Sequence, residues 1–159
     1  MVHVGVSGKN SALTLEQQAF NSGYVQLDIA GCVPDGNVCS TGCKDVLTSG
    51  LDMNLICQTI NNSSCGVAST VSYDPGHYLC GFTFYNSMCI NRKCTAFIHV
   101  PDLDQPYSAL QLAEGLKVAI TAMLEQIRET EKEAIWWFNV FQVILKILIF
   151  ASVVIIICY

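Results

Sequence analysis

Positive charge is scarce in this chain. Only 8 of 159 residues are Lys or Arg against 13 Asp and Glu, a formal charge of −5 that argues against nucleic-acid binding, since phosphate backbones are held mainly by basic side chains. Also missing are a basic segment ahead of an apolar run at MVHVGVSG, any C-x-x-C spacing, any internal repeat and any low-complexity stretch before residue 135. The first absence excludes a secretory signal and sets the default for the nine cysteines (32, 39, 43, 57, 65, 80, 89, 94 and 158) to reduced thiols in the cytosol. The second, with no His near Cys32, Cys39 and Cys43, disfavours zinc. The sequons at Asn61 and Asn62 carry no meaning in a cytosolic chain.

What is abundant is apolar surface: 52% of residues are hydrophobic and 13% charged. Much of it lies at 135–159, where Asn139, Gln142, Lys146 and Ser152 are the non-apolar side chains. A helix of that length reaches roughly 37 Å, enough for a hydrocarbon core of about 30 Å. Burying Lys146 costs about 2.5–3.5 kcal/mol, less than the Ile, Leu, Val and Phe residues return at about 0.3–0.6 kcal/mol each. Two readings stand: a C-terminal membrane anchor with Trp136 and Trp137 at the polar boundary, or an aggregation-prone tail whose Ile155, Ile156 and Ile157 suit strands.

Ahead of the tail, length suits one domain. Residues 2–7 read as a buried strand, 9–50 as long loops with short strands, 51–59 as a helix and 66–72 as a second strand. After the turn Asp74-Pro75-Gly76, 77–88 reads as a helix, 96–100 as a third strand stopped by Pro101, and 108–133 as a long amphipathic helix. The alternation predicts an α/β domain over 1–134, followed by the tail at 135–159.

In such a sheet, functional groups gather at the carboxyl ends of strands. Cys80 follows the second strand and enters a helix N-terminus, where backbone N–H groups favour a thiolate, and His99 lies near the exit of the third strand. A thiol beside an imidazole is the pair a cysteine nucleophile requires, with a third group orienting the ring. A buried structural cysteine and a structural histidine remain the plainer reading of these two residues alone. His3, within a strand, and His77, in a turn, are weaker candidates.

The segments around these residues resemble pyroglutamyl peptidase of the first type, a cytosolic cysteine peptidase family that removes N-terminal 5-oxoproline from peptides. The resemblance runs over about 130 residues, as far as the helix ending near Glu133. It rests on Ser72, Asp74, Gly76, Tyr78, Leu79 and Cys80, on Phe97, His99, Val100 and Pro101, and on Leu15, Glu16, Ala19 and Asn21. It implies a three-layer α/β sandwich with a mostly parallel sheet, phosphorylase/hydrolase-like, with the family's opening strands missing ahead of Met1. It further implies Cys80 as nucleophile, His99 as general base and acid, Glu16 as the orienting carboxylate, and Val6, Ser7, Gly8, Tyr78 and Leu79 around the substrate ring. No metal or organic cofactor is implied, and the expected partners are peptides with N-terminal pyroglutamate. The expected setting is the cytosol, with or without tail anchoring to a membrane.

The sequence departs from the family pattern at Gly81, usually Asn or Asp, and at Pro75, usually small; both bear on the helix start and the oxyanion geometry. The alternative function is a catalytically inactive relative that associates with membranes or partners. A membrane-anchored metal-binding module of the cysteine-rich loops is a third reading.

Overall fold

The computed structural model describes the backbone of residues 1–157 and the side chains of residues 1–145. Two units make up the chain, Met1–Leu124 and a second beginning at Glu125. In the first, β1 (Val2–Val6), β2 (Leu13–Glu16), β5 (Ser69–Ser72) and β6 (Ala96–Val100) form a sheet in the order β1-β6-β2-β5. β1 runs parallel to β6 and β2 parallel to β5, while β2 and β6 are antiparallel. β3 (Gln18–Phe20) and β4 (Val46–Thr48) form a separate antiparallel pair.

Register determines which side chains share a face. Because neighbours in register point the same way and residues alternate along a strand, His3, Gly5, Thr14, Glu16, Phe97 and His99 lie on one face. Leu13, Leu15 and Ile98, all fully buried, lie on the other. Helix α2 (Leu79–Asn91) covers the first face, where Phe84, Tyr85 and Met88 join Phe97 and Ala19 in one apolar cluster.

Helix α1 (Met53–Asn62) and the opening turns of α3 (Ala109–Ile157) cover the second face. Asp52 caps α1 by accepting from the N–H groups of Asn54 and Leu55, and the helix buries Met53, Ile56 and Ile60. Ser69 Oγ donates to the Cys57 carbonyl (3.1 Å), tying α1 to β5. Gly115 lets α3 approach Leu13 closely, since a Cβ there would come within 2.8 Å of the leucine methyl. The result is a three-layer α/β arrangement with two of the three strand pairings parallel.

Several expectations shift. β6 occupies the predicted 96–100, whereas the strand expected at 66–72 begins only at Ser69, because Gly66 takes a left-handed conformation (φ 71°). Within 9–50 lies a central strand, β2, every residue of which is buried. β1 sits at a sheet edge rather than in the interior, with Val2, Val4 and Val6 exposed on the face that bears Ile98.

In the second unit, α3 continues through residue 134, where the sequence suggested a change from domain to tail, because no Gly or Pro interrupts it. Among the described residues no helix is long and apolar enough to cross a membrane. Part of the expected anchor, the side chains from Lys146 onward together with Cys158 and Tyr159, lies outside the described residues.

Candidate active site

Buried carboxylates are rare unless paired, and Glu16 is 1% exposed. Its Oε1 lies 2.8 Å from His99 Nδ1, and His99 is 7% exposed. The pair spans the junction between the antiparallel strands β2 and β6, where Glu16 stands opposite Phe97 and Thr14 opposite His99. An Nδ1–H donating to this carboxylate leaves Nε2 as the ring's acceptor. The second carboxylate oxygen, Oε2, is buried with no hydrogen-bond partner among the described residues.

Cys80 reaches the same face from above. It is the second residue of α2, behind Tyr78, whose side chain does not cap the helix, so among the described residues the N–H groups of its first turn are not capped by the N-cap side chain. A Cβ placed on Gly5 would lie 3.3 Å from Cys80 Sγ and 2.9 Å from the Phe97 ring. Gly5 is the register partner of His99, and adjacent strands are about 4.8 Å apart. The sulfur thus stands over the strand position beside the imidazole, on the imidazole's own face of the sheet. The Phe97 and His99 rings are 4.8 Å apart between centroids, so Phe97 walls the same spot. Burial pushes the Cys80 thiol up, and the nearby Glu16 charge pushes it further in the same direction.

The predicted residues divide into three groups. Glu16, His99 and Cys80 share one face of the sheet. Tyr78 and Leu79 line a cavity of about 230 Å³ together with Tyr24, Val33, His77 and Phe82. Val6, Ser7 and Gly8 do not line it. They continue β1 beyond Gly5, where Ser7 N–H donates to the Val100 carbonyl (2.9 Å) and Gly8 abuts the Asp102 carboxylate.

His3 bonds Ser87 Oγ (2.8 Å), and His77 bonds the Ser22 carbonyl (2.9 Å) and stacks on Phe20, so each has a structural task. Among the described residues no three His, Cys, Asp or Glu side chains converge as a metal site.

Gly81 acquires a reason. A Cβ there would lie 2.0 Å from the Gly76 carbonyl oxygen, so the Asp74–Tyr78 loop packs on the first turn of α2 in a way no other residue at 81 permits. Sequence reading missed Gly5 and the Tyr24–Phe82 wall. Tyr24 meets Phe82 edge to face at 5.5 Å, a contact between distant segments that no local pattern announces.

The family model for pyroglutamyl peptidase PgaPase_1 matches residues 1–104. Human pyroglutamyl-peptidase 1 is 37% identical over 131 residues, covering 82% of this chain and 63% of the relative. A human pyroglutamyl-peptidase 1-like protein is 38% identical over 134 residues, covering 84% and 67%. Among solved structures, pyrrolidone carboxyl peptidase from Thermococcus litoralis superposes with a TM-score of 0.69 at 21% identity, covering 81% of this chain and 67% of that one. Pyroglutamyl peptidase I from Bacillus amyloliquefaciens gives 0.66 at 26%, covering 77% and 64%. The chain thus spans less than two thirds of the length of the human peptidase it matches.

Proposed function

The chain belongs to the pyroglutamyl peptidase family, and from that premise we propose that it is a cysteine omega-peptidase, hydrolysing the bond after an N-terminal 5-oxoprolyl residue of peptides. The observation that carries the reading is the buried Glu16–His99 contact of 2.8 Å on the sheet face over which the Cys80 sulfur stands.

The chemistry is acyl transfer. At neutral pH the raised thiol of Cys80 is protonated at rest, so its proton leaves for His99 Nε2 as the sulfur attacks the oxoprolyl carbonyl. Glu16 holds the ring in the tautomer that makes this transfer productive, and its charge offsets that of the imidazolium as it forms. The oxyanion falls to the N–H groups of the first turn of α2, to which the helix dipole adds. His99 then protonates the departing amine, and water, deprotonated by the same ring, cleaves the thioester.

The flat, mostly apolar lactam is suited to the cavity beside Tyr78 and Leu79.

Hydrolysis of a fluorogenic 5-oxoprolyl amide by the purified chain, with Cys80→Ser as control, tests the proposal. Turnover that disappears in the variant is the expected result. Turnover unaffected by the substitution, or none from a folded parent chain, rejects the assignment.

A further inference from the structure

Beyond the peptidase reading, a second pair of thiols is built around the middle and C-terminal turns of α2. Cys43 lies in the loop before β4 and Cys89 near the end of α2. Both are exposed, and together with Leu47 and Met88 they line one open cleft. The loop is fastened there by the Tyr85 hydroxyl, which donates to the Lys44 carbonyl. Residues 85 and 89 share a helix face, so this bond sets Cys43 over Cys89.

Across this shared cleft Cys43 lies close enough to Cys89 to disfavour its ionisation, and Cys43 Sγ donates to Ser40 Oγ at 3.3 Å. Cys39, the third thiol of the neighbourhood, is turned to the Phe20 carbonyl and packed on the core. No three ligands converge for a cation among the described residues, which leaves the cleft with its two exposed thiols.

We propose that Cys43 and Cys89 form a reversible redox site that closes to an intramolecular disulfide on reaction with a small-molecule disulfide of the oxidised-glutathione class. The Cys43 thiolate attacks one sulfur of the oxidant, breaking its S–S bond and releasing one thiol. The Cys89 thiolate then attacks the Cys43 sulfur of the mixed disulfide and releases the second. Two electrons and two protons pass from the protein to the oxidant, which leaves as two thiols. Partial loss of solvent around the sulfur, although the residue as a whole is exposed, and the neighbouring Cys43 push the Cys89 thiol up, which favours it as the second attacker rather than the first. Closure ties the loop before β4 to the helix whose opposite end carries Cys80.

The test is peptide mapping of the full chain, reduced, freed of reductant and incubated with oxidised glutathione. The expected product has a link between the peptides bearing Cys43 and Cys89, is reversed by dithiothreitol, and melts several degrees higher because a long loop is closed. Cys43→Ser and Cys89→Ser each remove the link and leave a glutathione adduct on the surviving partner. A link confined to other cysteines overturns the proposal, as do separate glutathione adducts at 43 and 89 or unreacted thiols at both. The readout is a cross-link rather than hydrolysis, so its failure is distinct from failure of the peptidase reading.

Discussion

Replacing Glu16 by Gln preserves volume in a position that is 1% exposed and removes a charge from a 2.8 Å contact. A hydrogen bond to a charged group contributes about 1.5–3 kcal/mol and a neutral one about 0.5–1.5 kcal/mol. The difference, about 1–1.5 kcal/mol, is felt most when the imidazolium forms. Amide orientation adds to it. With the amide oxygen toward His99 Nδ1, the NH2 group takes the buried place of Oε2, an atom with no hydrogen-bond partner among the described residues, and an NH2 left unpaired there costs about 1–3 kcal/mol. With the NH2 group toward Nδ1, the ring proton moves to Nε2 and the base is lost.

Either way, kcat/KM for a 5-oxoprolyl amide falls about 5-fold or more, mainly through kcat. Removing the charge also relieves the thiol, so the pH at which iodoacetamide alkylates Cys80 moves down in the variant. Activity and thiol acidity thus change in opposite senses, which a general loss of packing would not produce. Turnover within twofold of the parent, or an unmoved alkylation profile, refutes the reasoning.

Gly81→Ala forces the Gly76 carbonyl away from a 2.0 Å encounter, and should lower stability by about 1–3 kcal/mol in thermal unfolding and depress peptidase turnover as the helix start shifts; an unchanged melting temperature contradicts this. Asp52→Ala removes the cap of α1 and should cost about 1 kcal/mol in chemical denaturation with turnover retained. Burial raises the thiols of Cys39, Cys80 and Cys89 and pushes Tyr85 up to about 12. These groups stay protonated in the folded chain while the unfolded chain ionises near the ordinary values of 9.0 for a thiol and 10.0 for a tyrosine, so the folded state holds the excess protons and stability falls as pH rises. The melting temperature should therefore hold between pH 7 and 8 and drop above about pH 9, and a higher value at pH 10 than at pH 8 would reverse the sign.

Local chemistry explains what could be read in advance. Ala96–Val100 is apolar but for His99 and is closed by Pro101, and Asp52 before Met53 is a helix start written in side-chain chemistry. β2 escaped because a site residue stands in the core: Thr14 and Glu16, both buried, put polar letters where a central strand should be apolar. The placing of the sulfur on the imidazole's face of the sheet was out of reach for a different reason. It depends on the register of Gly5 with His99, and register belongs to a pairing between residues far apart in the chain. The motif resemblance supplied Glu16, which spacing alone leaves as an ordinary surface carboxylate.

The central claim, that Cys80 carries the acyl group on the face it shares with His99 and Glu16, is tested most directly by trapping the intermediate. Acid quench of the chain during turnover of a 5-oxoprolyl ester, followed by peptide mass analysis, should find one oxoprolyl group on the peptide containing Cys80 and none on that peptide in Cys80→Ser. Release of pyroglutamate with no adduct at Cys80, or with the adduct on another cysteine, would contradict the account.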